Sequence, residues 1–407
     1  MPVQDLFRTL AAAVAAAALS FPCAAVQPPA APVRIGVIGP MSGGSSDFGQ
    51  SMLNGIRVAV AEINAVGGYL GRPIELVVKD DRADPDTGLK LSQELVGADK
   101  VVATLGFCNT GVALRAMPVF EQAKSPLIVP CAAGSPVTQQ TDPAASYVFR
   151  VAPSEEIKAP FMVQDIVRRG LTKVAIFSDD TAYGVSGRND VVKALAAAGL
   201  KPVHLTSFAL GVKDLGSEMA AARAAGADVI VAYTVGPENA VIAKARSALK
   251  WQAPLVGPWT LSFPNFIRAA GAAAEGAFTV QTFIAQPSNE RRSAFISAYR
   301  RMHGGLIPVP MAAAQGYDAM FLLMYSLFGI RDGNLAGPAI KHQLENAQRV
   351  YYGVVSTYEK PFSAKSKEAV TVNMLVMGQV KNGAVVFAYP DDARKNLFIQ
   401  RKVQNPS

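Results

Sequence analysis

From Val33 onward the chain alternates short apolar runs rich in Val, Ile and Leu with stretches whose apolar residues recur at helical spacing, one such pair about every 25 to 30 residues. This alternation constrains the fold more than any other feature. Parallel strands need a crossover, which a helix supplies, and runs apolar on both faces belong to sheets covered on both sides. The first series places strands at Val33 to Ile38, Ile74 to Lys79, Val101 to Leu105 and Leu127 to Val129. Its helices fall at Ser51 to Val66, Thr87 to Val96 and Val112 to Gln122. Leu53, Ile56, Val60 and Ile63 line one face of the first helix, and Gly67-Gly68 stops it. A second series follows Phe149-Arg150-Val151-Ala152-Pro153, with strands at Val174 to Phe177, Val203 to Phe208, Val229 to Tyr233 and Pro254 to Val256. Helices at Ile157 to Arg169, Ser186 to Ala198, Leu215 to Ala225 and Glu238 to Leu249 connect them. Two such series predict two lobes with a cleft between them. Further on, Gly276 to Phe283 reads as a strand, Arg291 to His303 and Met311 to Phe328 as helices. The segments Val372 to Val380 and Ala384 to Tyr389, around Asn382-Gly383, read as a β-hairpin. No low-complexity linker separates the halves, so several strand crossovers acting together would form the hinge.

Half of the 407 residues are hydrophobic and 17% are charged, which excludes disorder and supplies enough apolar surface for two cores. Arg8, the apolar stretch from Leu10 to Phe21 and Cys23-Ala24-Ala25 predict a signal peptide cleaved after Ala25. The stretch is too short to span a bilayer stably, so the mature protein is expected to be soluble and exported. Pro22 and Ser20 fit a lipoprotein site at Cys23 poorly. Cleavage removes one acid, Asp5, and one base, Arg8, leaving the formal charge of +8 unchanged. Lys and Arg are scattered in short pairs such as Arg168-Arg169 and Arg300-Arg301, without a basic stripe interleaved with aromatics, so no nucleic-acid partner is expected. Cys108 and Cys131 each close a predicted strand in a compartment that permits disulfides. A bridge between them and a pair of buried free thiols are both open readings.

Enzyme signatures are missing from the sequence. There is no G-x-x-x-x-G-K-[ST] loop, and Gly36-Val37-Ile38-Gly39 running to Gly43-Gly44 lacks dinucleotide-binding spacing. His204, His303 and His342 lie far apart without metal-ligand spacing. Asp80-Asp81 and Asp179-Asp180 are paired carboxylates that turns and helix caps explain. No catalytic residue, metal or cofactor is therefore expected. What remains is a set of polar, glycine and aromatic residues at strand-to-helix junctions: Met41-Ser42-Gly43 with Phe48, Phe107 to Gly111, Cys131 to Ser135, Asp180 to Gly184, and Gly257 to Thr260. In open α/β sheets, ligands bind beyond the carboxyl ends of the strands, where helix N-termini offer free N–H groups. Hydroxyls, amides and such N–H groups can hold a carboxylate without a cation, and aromatic rings can close over the rest.

Ile35-Gly36-Val37, Pro40-Met41-Ser42-Gly43, Asn54-Gly55, Glu62-Ile63-Asn64, Gly67-Gly68, Asp80-Asp81 and Tyr183-Gly184, in this order and spacing, resemble the type I periplasmic binding proteins of the leucine/isoleucine/valine-binding group. The similarity covers almost the whole mature chain. It implies an α/β fold of two Rossmann-like lobes joined by a three-segment hinge, with residues 31–151 plus 282–357 in lobe I and 152–281 plus 358–407 in lobe II. It also implies docking on an ABC permease in the inner membrane after the lobes close on a ligand. Carried over by motif, Asn109 falls where the family holds the ligand carboxylate, with Thr110 beside it. Ala132 and Ala133 match the strand-end segment that completes this site, although Ala133 stands where a Thr is common. Phe48 matches a wall aromatic, Tyr183 the second-lobe tyrosine that closes on the ligand, and Tyr317 another cleft tyrosine. Trp259, followed by Thr260, stands where the amino-acid binders place an acid for the ligand ammonium. Glu238 is the candidate replacement, and an acid in the first turn of a helix is its structural alternative. A Trp here can stack on a flat ligand or hold a cation on its face, the first being the simpler use. These residues point to capture of a small aliphatic or aromatic carboxylate. Branched-chain amino-acid binding, a sensor module and an enzyme on the same fold are the competing readings.

Overall fold

The computed structural model describes residues 31–402. The expected signal peptide, 1–25, with Cys23, lies outside them. The first sheet is wholly parallel, in the order β2-β1-β3-β4-β5. It consists of β1 (Val33–Gly39), β2 (Ile74–Asp80), β3 (Ala103–Leu105), β4 (Leu127–Val129) and β5 (Val148–Arg150), with crossover helices α1 (Ser46–Ala65), α2 (Pro85–Gly97) and α3 (Thr110–Gln122). β5 is the strand that the sequence reading passed over as a boundary.

The chain then crosses into α4 (Glu155–Arg168) and a second sheet of β6 (Val174–Asp179), β7 (His204–Phe208), β8 (Val229–Tyr233), β9 (Leu255–Gly257) and β10 (Phe278–Gln281). Helices α5 (Ala182–Ala197), α6 (Gly216–Ala224), α7 (Glu238–Ala248) and α8 (Pro264–Ala270) lie between these strands. After β10 the chain returns to the first lobe through α9 (Glu290–His303) and α10 (Pro310–Leu327), followed by α11 (Gly337–Glu345) and the small pair β11 (Tyr351–Tyr352) and β12 (Thr357–Tyr358). It stays there past Tyr358: Glu368 bridges to Arg150 beside β5, with Arg150 N–H donating to the Lys367 carbonyl and Ala369 N–H to that of Arg150. Only then do β13 (Val376–Lys381) and β14 (Ala384–Phe387) join β10 antiparallel, completing the order β14-β13-β10-β9-β8-β6-β7, and α12 (Pro390–Lys395) follows.

Gly55 shows why the quoted glycines are needed. α10 lies so close to α1 that a Cβ on Gly55 would come within 1.9 Å of the Ala313 carbonyl oxygen. Close approach of two backbones requires the missing side chain. Cys108 and Cys131 are both buried and free, so of the two open readings the structure shows thiols. Burial, and then the Cys131 thiol beside it, raises the Cys108 pKa well above the usual range, which keeps it protonated and inert.

Candidate functional site

The five strand-to-helix junctions converge where the lobes meet. Phe48, in the first turn of α1, sits edge-on to Trp259 with ring centroids 6.3 Å apart and packs on Phe263 at 4.8 Å. Asn265 Nδ2 donates to the Gly44 carbonyl, and Arg268 pairs with Asp47 at 3.2 Å, both across the lobes. On the other side Ser135 N–H donates to Ser186 Oγ, and Ser135 Oγ donates to Asp190 Oδ2 at 2.6 Å. The lobes are therefore closed, and Phe48, Thr110, Ala132, Ala133, Tyr183, Trp259 and Thr260 are all buried.

Within lobe I, Asn109 precedes α3 in extended conformation without capping it, and its Oδ1 is buried with no hydrogen-bond partner. Thr110 Oγ1 accepts the Gly134 N–H at 3.1 Å. Ala132 N–H donates to the Phe107 carbonyl, and the Ala133 carbonyl accepts the Glu155 N–H at 2.9 Å. The segment expected to offer its backbone thus already spends that carbonyl on the start of α4. Beneath it the buried Arg150 donates to the Gly134 carbonyl, to Thr138 Oγ1 and to Glu368.

From lobe II, Thr181 caps α5 by accepting the Gly184 N–H, which sets Tyr183 in the first turn. Gly187 leaves room for the ring of Tyr233, since a Cβ there would overlap it. The two tyrosine rings lie 5.7 Å apart. Tyr233 hydroxyl donates to Glu155 Oε2 at 2.6 Å, and that of Tyr183 lies beside the Glu155 carboxylate and the Thr260 hydroxyl. Burial raises the pKa of both phenols well above the usual range, and the Glu155 carboxylate adds to it.

Two residues of this cluster escaped the sequence reading. Ser154 caps α4 through the Glu156 N–H, placing Glu155 and Lys158 one turn apart on the cleft side. Their exposures are 0% and 1%. Lys158 Nζ lies 2.5 Å from Glu155 Oε1, out of line for a hydrogen bond, and 3.6 Å from the centroid of the Trp259 ring. Burial pushes the Lys158 pKa down to about 8, with Glu155 opposing. A cation therefore stands in this cluster, and a face of the Trp259 ring is covered by an ammonium of the protein itself. The acid at N1 and a base three residues on were the only signal in the sequence, and a solvated helix start shows the same pattern.

Two expected residues stand apart. Tyr317 donates to Glu62 Oε2 at 2.6 Å near the far end of α1, 14 residues from Phe48, or about 21 Å along the helix axis. Its ring packs at a tilt against Phe295 and Phe321 and belongs to the packing of lobe I, which corrects its place as a cleft tyrosine. Glu238, at the start of α7, accepts the Gly211 N–H at 2.7 Å and tethers the loop after β7. The acid beside Trp259 is Glu155. Among the described residues no three His, Cys, Asp or Glu side chains gather closely enough to hold a metal ion.

A family model described as periplasmic binding protein matches residues 32–384. Leu/Ile/Val-binding protein homolog 2 of Brucella abortus is 29% identical over 259 residues, covering 64% of this chain and 68% of the relative. The leucine binding protein LivK of Thermotoga maritima superposes with a TM-score of 0.76 at 25% identity, over 88% of this chain and 99% of its own. A solute binding protein of an ABC transporter from R. palustris, solved in complex with 4-hydroxybenzoate, superposes with a TM-score of 0.77 at 22% identity, over 87% and 95%.

Proposed function

The chain belongs to the periplasmic binding protein family, and from that premise we propose that it captures one small carboxylate-bearing molecule, aliphatic or aromatic, between its lobes and delivers it to an ABC permease. Its relatives and its fold are those of binding proteins that serve transporters, not those of enzymes. The family is extracytoplasmic, and no helix of the described residues is long and apolar enough to cross a membrane. In this reading the mature chain acts in the periplasm as a monomer.

One observation carries the proposal. The buried Asn109 Oδ1 has no hydrogen-bond partner, and the buried hydroxyls of Tyr183 and Thr260 face only each other and Glu155. An unpaired buried polar group costs about 1–3 kcal/mol, so a guest that pairs them is held. We assign the ligand carboxylate to the N-terminus of α3 beside Thr110, where free N–H groups and a favourable dipole receive an anion, whereas the unpaired Asn109 Oδ1, an acceptor, is matched by a donor such as a hydroxyl on the ligand. Phe48 and Tyr183 form the walls, and Ala132 and Ala133 the floor. The crossovers at 151–153, 282–284 and 370–375 would act as the hinge.

Branched-chain amino acids are the second reading, supported by the names of the curated relatives. Calorimetry on refolded, ligand-stripped protein separates the two. Heat released by benzoates or branched 2-oxo acids is the expected result; tight leucine binding with silence from these acids would install the second reading.

A further inference from the structure

Glu155 and Lys158 open α4 directly after the first crossover, buried where Trp259 of the second lobe packs on them. An ammonium buried to this degree is tolerated only when its charge is matched. Here it is matched twice: by Glu155 Oε1 at 2.5 Å and by the face of Trp259, 3.6 Å from the ring centroid. Tyr233 holds the second carboxylate oxygen, so the acid cannot swing away without breaking that bond, and the Ala133 carbonyl fixes the backbone of Glu155. A fixed carboxylate beneath an aromatic face is a complete receptor for an ammonium ion. In this protein the receptor is filled from within.

The other acids nearby are also committed. Asp179 accepts from the Thr181 N–H and hydroxyl and from the Val235 N–H, and Asp190 accepts from Ser135. Glu155 Oε1 and Lys158 Nζ are left to each other as an ion pair, and the other atoms of the cleft without a hydrogen bond, on Asn109, Tyr183 and Thr260, are neutral. A guest bearing its own ammonium would meet a second positive charge and no free acid, in a place from which water is excluded.

We propose that Lys158 is an internal substitute for a ligand ammonium, which makes the cleft selective for carboxylates that lack an amino group. The inference rests on the carboxylate-capture reading and narrows its ligand class. The same residues define the reverse change. With the lysine charge removed, Glu155 and Trp259 become available to an amine brought by the ligand.

The test uses matched pairs that differ only in the amino group: leucine with 4-methylpentanoate, and phenylalanine with 3-phenylpropanoate. Ligand-stripped full-length mature protein is equilibrated with an equimolar mixture, and the retained molecules are measured by native mass spectrometry. Wild type should retain each amine-free acid at least tenfold over its amino acid. Lys158→Met should lower that ratio at least tenfold by admitting the amino acids, and Lys158→Arg should keep it. Should Lys158→Met not fold, the uncharged pair Glu155→Gln with Lys158→Met is read instead, and there the ratio should fall towards one. Retention of amino acids by wild type, or an unchanged ratio in the variants, overturns the inference while leaving a carboxylate-binding cleft in place. Retention of neither class by any of the proteins overturns both.

Discussion

Two buried acids organise this molecule, and they are served very differently. Asp318, inside α10, accepts hydrogen bonds from the hydroxyls of Tyr351 and Tyr358 at 3.0 Å and from the N–H groups of Val354 and Val355 at 2.9 Å. Every donor around it is used, and the result ties α10 to the segment carrying β11 and β12. Glu155 has one phenol, one ion pair out of line for a hydrogen bond, and neighbours whose hydroxyls find no partner. A saturated network has nothing left to offer a guest and serves to hold elements together, whereas an unsaturated one stores unmade bonds for something that arrives later. Burial also leaves its mark on each, pushing the Asp318 pKa up to about 6 and that of Lys158 down to about 8.

Removing the two centres should break different properties. Asp318→Ala strands two phenols and two N–H groups in the interior and should cost about 3–5 kcal/mol in urea unfolding, with the ligand affinity of the folded fraction unchanged. A loss of affinity matching the loss of stability would erase the distinction.

The charged lysine sharpens it through pH. Its folded pKa lies below the ordinary 10.5, so between about pH 8 and 10.5 the unfolded chain binds more protons than the folded one, and stability rises with pH across that window. Unfolding of ligand-free wild type should gain about 2–3 kcal/mol relative to Lys158→Met from pH 8 to pH 10.5. A flat difference would mean that the ammonium is better solvated than its burial implies.

The tyrosines give a milder version of the same contrast. Tyr358→Phe should lower stability by about 1–2 kcal/mol and leave binding alone, whereas Tyr183→Phe should change stability by less than about 0.5 kcal/mol and weaken binding by about 1 kcal/mol. If both variants act on stability alone, the Tyr183 hydroxyl has no part in the site. The smallest effect belongs to the thiols of Cys108 and Cys131. Because neither is bridged, adding reductant should shift the thermal midpoint by less than about 1 °C, and a larger fall would reveal a disulfide in solution.

Much of this architecture is legible residue by residue. The strands Val33–Gly39, Ile74–Asp80, Leu127–Val129 and Val229–Tyr233 coincide with the apolar runs to within one residue, and in the central strands Leu127–Val129 and Val229–Tyr233 burial on both faces removes polar residues from the whole run. Helix starts are less legible. α5 begins at Ala182 and α4 at Glu155, four and two residues ahead of the expected starts at Ser186 and Ile157, because caps at Thr181 and Ser154 set the first turn. That error hid Glu155. The positions of Tyr317 and Glu238 depend on partners outside the local pattern: each lies on a helix whose neighbours, Glu62 and Gly211, claim its polar atom first, and Glu238 takes the helix-start role that was its structural alternative.

The amino-acid sequence alone settled the alternation of strands and helices, the two lobes and the junctions that line the cleft, since each of these follows from periodicity and turn chemistry within a few consecutive residues. The tertiary structure decided which charges are buried and what they face. Lys158 is an ordinary helix-start lysine until Trp259, about 100 positions later in the chain, covers it, and its partner Glu155 is fixed by Tyr233 and Ala133. The energy of a charge depends on the dielectric and the groups within a few ångströms of it, and in a folded chain those groups come from segments that local pattern does not connect.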